Sequence, residues 1–538
     1  MPKKFYITTP IYYVNARPHV GHAYTSIAAD VLARWQRMNG ADVFFLMGTD
    51  ENSQKNVEAA RKAGPVPSPS APDRDSAKAQ VGTTGRGEQA DIQKYLDTMS
   101  AVWKNTWDTL GITNDDFIRT TEARHKKAVN KFFEAVWKNG DIYRGTYEGW
   151  YCTGCEEFKT KDDLESGKCI IHKTEVKKIK EENYFFKLSR YRQQLLDYIK
   201  KNPDFIQPKS RRAEITSYIK NFMEDISISR AGAEWGIPVP KIRNPKSEIR
   251  NKEGAERQVL YVWFDALINY LTGVGYGATN EKKFKKYWPA DLHLVGKDII
   301  KFHCALWPAM LLSAGLPLPK RVFAHGFFTV DGVKMSKTIG NVIDPTEVAA
   351  RYGNDALRYY LMREIAFGED GDFSLDGLEA RYQGDLANGI GNLVARVLAM
   401  TEKYFGGIIP ARVRGSAAPT WQSYEINMED LRLHQALTDV WDLIGYANRF
   451  VDSEQPWVLA KIDKKRLARV IYTLLETLRH IGWLVWPFMP ETAEKIFEAL
   501  GILKEARKTP VSKAKEWGGL KPGKKIKGGA ILFPRLEK

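Results

Sequence analysis

Cysteine is scarce in this chain, four residues in 538, which excludes a disulfide framework and favours a reducing compartment. Long apolar runs are missing too. The richest stretch, Ile481 to Met489, is broken by Pro487, followed by Pro490, and falls short of the roughly 18 residues a membrane span needs. The N-terminus, MPKKFYITTP, has two lysines but no apolar segment behind them, which argues against a secretory signal. A cytoplasmic protein with no membrane partner is expected. Acidic residues are outnumbered, 65 Asp and Glu against 81 Lys and Arg, for a formal charge of +16. That excess suits a polyanionic partner such as nucleic acid or a membrane surface, and equally a solvated, lysine-rich exterior. The 43% hydrophobic and 27% charged content is that of a soluble globular protein, and the length suggests about two to four domains.

Among the residues present, the first to carry chemistry are Pro18-His19-Val20-Gly21-His22. Phe5–Ile7 and Asp42–Met47 read as β-strands, and Ala23, Ile27, Ala28, Val31, Leu32 and Trp35 recur between them at helical spacing. This is the opening strand–helix–strand unit of a parallel nucleotide-binding sheet, with the histidines where the helix begins. Unpaired N–H groups and the helix dipole favour phosphate there. His19 and His22 fall on one side of a first turn, where two imidazoles can donate to phosphate oxygens, or act simply as capping side chains. Gly21 leaves room for a nucleotide to approach the backbone. No H-E-x-x-H pattern accompanies them, which excludes that zinc-protease reading. The second strand ends in Gly48-Thr49-Asp50-Glu51-Asn52, and a carboxylate at such an edge can hold an ammonium group or merely punctuate the strand. From Gly64 to Gln93 periodicity fails amid Pro, Ser, Gly and charge, which predicts a mobile surface loop.

Three of the four cysteines lie with a histidine in a C-x2-C…C-x2-H pattern, Cys152, Cys155, Cys169 and His172. The spacing suits a closed, structural Cys3His zinc site, with surface thiols as the alternative. Cys304, in an apolar helical context, reads as a small buried side chain. The sheet is expected to resume at Tyr261–Ala266, continue at His293–Asp298 into a helix through Trp307, and add a strand over Arg321–Phe328. Trp263, Tyr270, His303 and Trp307 form either a pocket or ordinary core. After an Asp331-Gly332 turn, Lys334-Met335-Ser336-Lys337-Thr338 occupies a loop closed by Gly340, where two lysines supply mobile charge for a triphosphate. From about Asp376 the chain is helical, with Leu386, Ile390, Leu393, Val394 and Val397 on one face. Further helices are predicted near Met428–Ser453, Lys464–Val485 and Glu491–Ala499. Exposed Asn, Arg and Trp on such a bundle suit single-stranded RNA. The Lys- and Gly-rich tail from Lys513 is expected to lie along the surface.

The histidine and lysine segments together, in this order, resemble the paired H-x-G-H and K-M-S-K motifs of class I aminoacyl-tRNA synthetases. With FFLMGTDEN, GWYCTGCEEF, YVWFDALINY, HLVGKDIIKFH, YGNDALRYYLMREI and DSEQPWVLAK, the chain is similar over nearly its whole length to the methionyl-tRNA synthetases, bacterial type with one zinc knuckle. The resemblance implies an α/β fold: a Rossmann-type parallel-sheet catalytic domain with a zinc-bearing α/β insertion, then a C-terminal α-helical bundle. The corresponding segments are 1–112 and 236–325 for the two halves of the catalytic domain, 113–235 for the insertion, 326–385 for a stem-contact fold with the lysine loop, 386–510 for the anticodon-binding bundle and 511–538 for the basic tail. It also implies that His19, Gly21, His22, Lys334, Ser336 and Lys337 bind ATP, with the histidines and lysines catalytic. Ile11, Tyr13, Asp50, Trp263, Tyr270 and His303 would bind methionine, Asp50 through its ammonium, and Asn392, Arg396 and Trp457 the anticodon. The family often has D-E-H-G where this chain has Asp50-Glu51-Asn52-Ser53, and the 64–93 stretch lacks the helix the family would supply.

The implied reaction is attack of the methionine carboxylate on the ATP α-phosphorus, with Mg2+ accompanying ATP, then acyl transfer to tRNA(Met), initiator tRNA included. Neither step requires a protein nucleophile, so positioning and charge stabilisation supply the rate. An apolar aromatic pocket discriminates by only about 1–3 kcal/mol per methylene, so a hydrogen bond to the sulfur, from Tyr13, is called for. Two other readings remain: a class I relative or nucleotidyltransferase acting on another substrate, and a tRNA-binding homologue without catalysis. The sequence stops without an appended dimerising domain, so a monomer is expected.

Overall fold

Strand β1 (Lys4–Thr8) is buried on both faces and lies at the centre of a seven-stranded parallel sheet. We describe a computed structural model covering residues 3–64, 85–152, 157–159, 163–170, 173–241, 258–330, 332–334, 342–528 and 531–536. On one side of β1 runs β3 (Asp42–Asp50), with Tyr6 opposite Phe44, and on the other Leu292–Gly296, with Ile7 opposite Leu292. Val322–His325 and Ile206–Gln207 extend the sheet beyond Leu292–Gly296. The two-residue β2 (Tyr12–Tyr13) pairs with the end of β3, as Tyr12 opposite Thr49 and Tyr13 opposite Asp50. Helix α1 (Val20–Met38) joins β2 to β3 and buries Ala23, Ile27, Ala28, Val31, Leu32 and Trp35, the stripe its sequence periodicity predicts.

After β3 come α2 (Gln54–Ala63) and α3 (Gly85–Thr109), then β4 (Asp116–Arg119) alongside β3. The loop expected over 64–93 is therefore too long. Residues 65–84 lie outside the described residues, but the chain is helical from Gly85. Ile92, Leu96, Trp103, Trp107 and Leu110 form a buried stripe that overrides two glycines at the helix start. Gly48 is required where β3 meets β4: a Cβ there would lie 2.1 Å from the Ile118 carbonyl oxygen.

Between β4 and the second part of the sheet lies an antiparallel sheet in the order Ile226–Ser227, Lys177–Phe186, Ile142–Cys152, Glu157–Lys159. Helices Arg192–Lys201 and Lys209–Phe222 accompany it. Asp141 ties this layer to the helix Trp307–Ser313 that follows Leu292–Gly296, accepting from Arg190 Nη1 at 2.6 Å and from Ser313 Oγ at 2.7 Å.

Two strand expectations are corrected here. Tyr261–Ala266 does not resume the sheet: Val262–Ala266 is a short helix, and the strand before it, Gln258–Leu260, pairs with Ser229–Ala231 and bridges to Pro238 rather than joining the parallel sheet. Tyr261, Val262, Phe264, Asp265 and Ala266 are all buried while Trp263 is half-exposed at the cleft, so tertiary packing rather than the alternation of a strand governs this run and overrides its β-propensity. Arg321–Phe328 is divided in two: Val322–His325 belongs to the parallel sheet, whereas Phe328–Val330 joins Val333–Lys334 and Gly371–Phe373 in a separate three-stranded sheet. The break falls at Gly326, where a Cβ would lie 2.3 Å from the Glu369 backbone.

The C-terminal part is helical. A π-helical segment, Tyr382–Gly391, leads into Asn392–Phe405, then Ala418–Glu429, Leu433–Glu454, Pro456–Ile462, Lys464–Val485 and Pro490–Ala499. The single helix expected over Met428–Ser453 is interrupted, because Leu431 takes a left-handed conformation with φ of 58°. The tail does follow the surface, anchored by buried Leu520, Ile526, Leu532 and Phe533.

Candidate active site

His19 caps α1. Its ring Nδ1 accepts the Gly21 N–H at 3.1 Å, while its own N–H donates to His22 Nδ1 at 3.2 Å. The two rings lie 3.7 Å apart. Capping and phosphate donation, alternatives in the sequence, are thus compatible in the structure. With Nδ1 occupied as acceptor, each neutral imidazole carries its proton on Nε2, leaving an N–H donor on the far side of the ring. The Val20 N–H donates to Ile343 O at 3.0 Å, which ties the helix start to the chain just beyond the lysine loop. The loop follows the turn at Gly332 (φ 73°) and the short strand Val333–Lys334. Ser336 and Lys337 lie outside the described residues.

A cleft of about 430 Å³ opens where Gly296, His325 and Asp50 end their parallel strands, the usual ligand position in such sheets. Ile11, Tyr13, His19, Gly21, His22, Asp50, Trp263, Tyr270 and His303 all line it. Trp307 does not: it is fully buried in the core behind, as is Cys304. The Asp50 carboxylate is nearly buried and accepts the Asn52 N–H at 3.1 Å, and Asn56 Nδ2 holds the Asp50 carbonyl at 2.8 Å. Asn52 Nδ2 also donates to Asp265 Oδ2 at 2.8 Å, and Ser53 Oγ caps α2 by accepting the Lys55 N–H. The Asn52-Ser53 pair therefore has a structural task of its own beside Asp50.

Deeper in the cleft the Tyr270 hydroxyl lies 2.7 Å from His303 Nε2, and His303 Nδ1 lies 2.9 Å from the Ile299 carbonyl. A carbonyl can only accept, so Nδ1 carries the proton, Nε2 is the acceptor, and the phenol is the donor. Burial holds His303 neutral by lowering its pKa to about 4, against the opposing Ile299 bond, and burial also drives the Tyr270 phenol well up. Trp263 stacks on Phe302 at 3.9 Å, and the Lys55 ammonium sits 5.0 Å over the Tyr13 ring at the mouth. The π-helical turn Phe302–Leu306 presents His303 here.

The cleft has further lining residues that sequence reasoning passed over: Thr25, Trp103, Asn269, Asp298 and His325. Thr25 Oγ1 meets His325 Nε2 at 2.7 Å. Trp103 was discoverable from the helical stripe of α3, whereas Thr25 and His325 carry no local signal because sheet closure alone brings them together.

Asn392, Arg396 and Trp457 lie on the helical bundle, and none of them lines the cleft. Asn392 is exposed, Arg396 pairs with Asp452 at 2.6 Å, and Trp457 is 46% exposed in the first turn of its helix. Nearby on Leu433–Glu454, Tyr446 and Phe450 stack within 13° of parallel. In the insertion, Cys152 and Cys169 are fully buried although Glu165, Lys168 and Ile170 around the latter are exposed. Buried thiols in a segment with so little apolar packing fit metal ligation. Cys155 and His172 lie outside the described residues, and no cluster of three ligating side chains occurs among those described.

Comparison with known proteins gives a consistent picture. Residues 2–256 match the family described as tRNA synthetases class I (I, L, M and V), residues 159–398 that described as tRNA synthetases class I (M), and residues 415–538 the anticodon binding domain of methionyl tRNA ligase. The methionine–tRNA ligase of Caldanaerobacter subterraneus is 46% identical over all of this chain and 80% of its own length, and that of Thermotoga maritima 43% identical over 99% and 80%. Mycobacterium tuberculosis methionyl-tRNA synthetase in complex with methionyl-adenylate superposes with a TM-score of 0.87 at 38% identity, covering 99% of this chain and all of that one.

Proposed function

The chain belongs to the methionyl-tRNA synthetases of class I, and from that premise we propose which of its residues perform each part of the reaction. The protein is a methionine–tRNA ligase: it joins L-methionine to tRNA(Met) at the expense of ATP through methionyl-adenylate, releasing pyrophosphate and AMP. In our reading methionine lies between Asp50 and the Tyr270–His303 pair, its ammonium against the Asp50 carboxylate and its side chain among Ile11, Tyr13, Trp263 and Tyr270. ATP lies across the start of α1, its backbone approach permitted by Gly21. As the methionine carboxylate attacks the α-phosphorus and the bond to pyrophosphate breaks, negative charge grows on the phosphate oxygens. The Nε2–H groups of His19 and His22 meet that charge, and Lys334, Ser336 and Lys337 complete the enclosure from the lysine loop.

Mg2+ bound with the nucleotide would neutralise part of the triphosphate charge. Cys152, Cys155, Cys169 and His172 would hold one Zn2+ that crosslinks the insertion where apolar packing is sparse. The 3′-terminal ribose hydroxyl of tRNA(Met), initiator or elongator, then attacks the acyl carbon of the adenylate. Asn392, Arg396 and Trp457 read the anticodon on the bundle, in a monomeric protein working in the cytoplasm.

The observation that carries this assignment is the reciprocal capping of His19 and His22, which fixes both protons at Nε2. It is tested by ATP–pyrophosphate exchange with a panel of amino acids and no tRNA. Exchange with methionine alone supports the assignment. Exchange driven by another amino acid overturns the pocket, and none at all from folded protein supplied with Zn2+ and Mg2+ overturns the catalytic roles.

A further inference from the structure

Trp103 projects from α3 into the wall of the cleft beside His22, 1% exposed. Its indole N–H donates to the Ala16 carbonyl at 2.8 Å, in the loop that delivers the chain from β2 to the His19 cap. The indole stacks on Tyr12 with centroids 4.9 Å apart and planes 20° apart, and it meets the His22 ring edge-on at 4.8 Å. Tyr12 itself touches His22 at 5.2 Å, and its phenol is held by Ser26 Oγ at 3.0 Å. His22 is therefore fixed on three sides: by the His19 N–H at Nδ1, by Tyr12 and by Trp103.

We propose that Trp103 is a positioning residue of the nucleotide subsite, which holds the β2–α1 loop and the His22 imidazole in the orientation that meets the triphosphate of ATP. The inference rests on the phosphate role assigned above to His22. Its physical content is preorganisation. A ring held at Nδ1 by the His19 N–H and packed edge-on against the stacked Tyr12 and Trp103 rings has little freedom to swing about its Cβ–Cγ bond, so its Nε2–H is already directed at the triphosphate when ATP binds. The Ala16 bond acts one step earlier, on the loop that sets where α1 begins. At the methionine end of the cleft Asp50, Tyr270 and His303 have supports of their own, none of them from Trp103. Loss of Trp103 should therefore weaken ATP and leave methionine alone.

The test is pyrophosphate exchange with Trp103→Leu and Trp103→Phe, titrating ATP at saturating methionine and methionine at saturating ATP, with thermal melts alongside. For Trp103→Leu, KM for ATP should rise at least fivefold while KM for methionine stays within twofold. Trp103→Phe retains a ring against Tyr12 and His22 but loses the bond to Ala16, and its KM for ATP should fall between the two. If the leucine variant does not fold, a rise of at least twofold in the phenylalanine variant carries the same weight. An unchanged KM for ATP, or equal rises in both constants, overturns the proposal. A fall in kcat alone, matched by the fraction of molecules that fail to form adenylate, also overturns it, because that is the mark of a merely structural residue. His22→Ala separates this proposal from its premise: if it leaves both KM for ATP and kcat intact, the histidine assignment itself is wrong.

Discussion

Arg358 and Asp30 form an ion pair of 2.7 Å with both side chains withdrawn from solvent. Asp30 lies on α1, the helix that begins at the two histidines, and the same guanidinium donates from Nε to Phe488 O at 2.7 Å and from Nη2 to Pro487 O at 3.1 Å. One side chain thus joins the catalytic helix to the C-terminal bundle. Burial pushes the Asp30 carboxyl up, but Arg358 and Arg34, together with the Thr113 hydrogen bonds, outweigh it and hold the group below the usual carboxylate range. Arg358→Ala would leave the buried Asp30 carboxylate to Arg34 and Thr113 and would strip the Phe488 and Pro487 carbonyls of this donor, at a cost of about 1.5–3 kcal/mol. Urea denaturation measures this, and a loss under about 1 kcal/mol would contradict the account.

Lys337→Ala should slow methionyl-adenylate formation at least tenfold while tRNA binding persists, because the role proposed for this lysine is to meet charge that develops only as the α-phosphorus is attacked. Near-normal pyrophosphate exchange would remove the role assigned to it.

Trp457→Ala should weaken tRNA charging yet spare adenylation, because the exposed indole sits on the bundle and does not line the cleft. Base stacking on an aromatic ring is worth about 1–3 kcal/mol, so a fall of about fivefold or more in kcat/KM for tRNA is expected. Equal losses in both assays would deny the bundle its reading role.

Elemental analysis of undenatured protein should find one zinc per chain. Cys169→Ser should lose the metal and open the insertion to protease, whereas Cys304→Ser, in the core, should retain it. Retention of full zinc by the Cys169 variant would rule out the knuckle.

Acid should destabilise the protein above the usual carboxylate range, with the buried Asp355, raised to about 6, opposing the trend. Burial lowers the pKa of His303 and His325 to about 4, and burial with the Arg479 charge lowers His480 to about 3. In the unfolded chain each returns to about 6.5. Above that value both states are neutral and the full stability is present. Below it the unfolded chain binds protons the folded one does not, so stability falls as pH drops through the window from about 6.5 to 4. Urea midpoints across that range check the slope, and His480→Gln should flatten it.

Much of this was legible because it is local. The α1 stripe and the histidine motif at its start lie within one element, where helical period has a short-range signal. The cleft residues named from family resemblance did converge around one cavity, His19 and His22 with Asp50, Tyr270 and His303. Legibility failed where tertiary context decides. Tyr261–Ala266 has strand composition but turns helical so that Trp263 reaches the cleft. The division at Gly326 depends on the approach of Glu369, and α3 begins among glycines because its buried stripe outweighs their propensity. The Asn52–Asp265 and Thr25–His325 contacts join residues far apart in sequence, for which no window of sequence holds a clue.

The place of β1 has a consequence for synthesis. Translation releases β1 and β3 early, and they can pair at once, yet the other edge of β1 waits for Leu292–Gly296, and that strand for Val322–His325. Until roughly half of the polypeptide has left the ribosome, the central strand presents an open row of N–H and C=O groups flanked by apolar side chains. Such an edge recruits unwanted strands. The nascent chain, rather than the finished enzyme, is therefore where this protein is most exposed to aggregation, and where chaperones that shield unpaired strands should matter most.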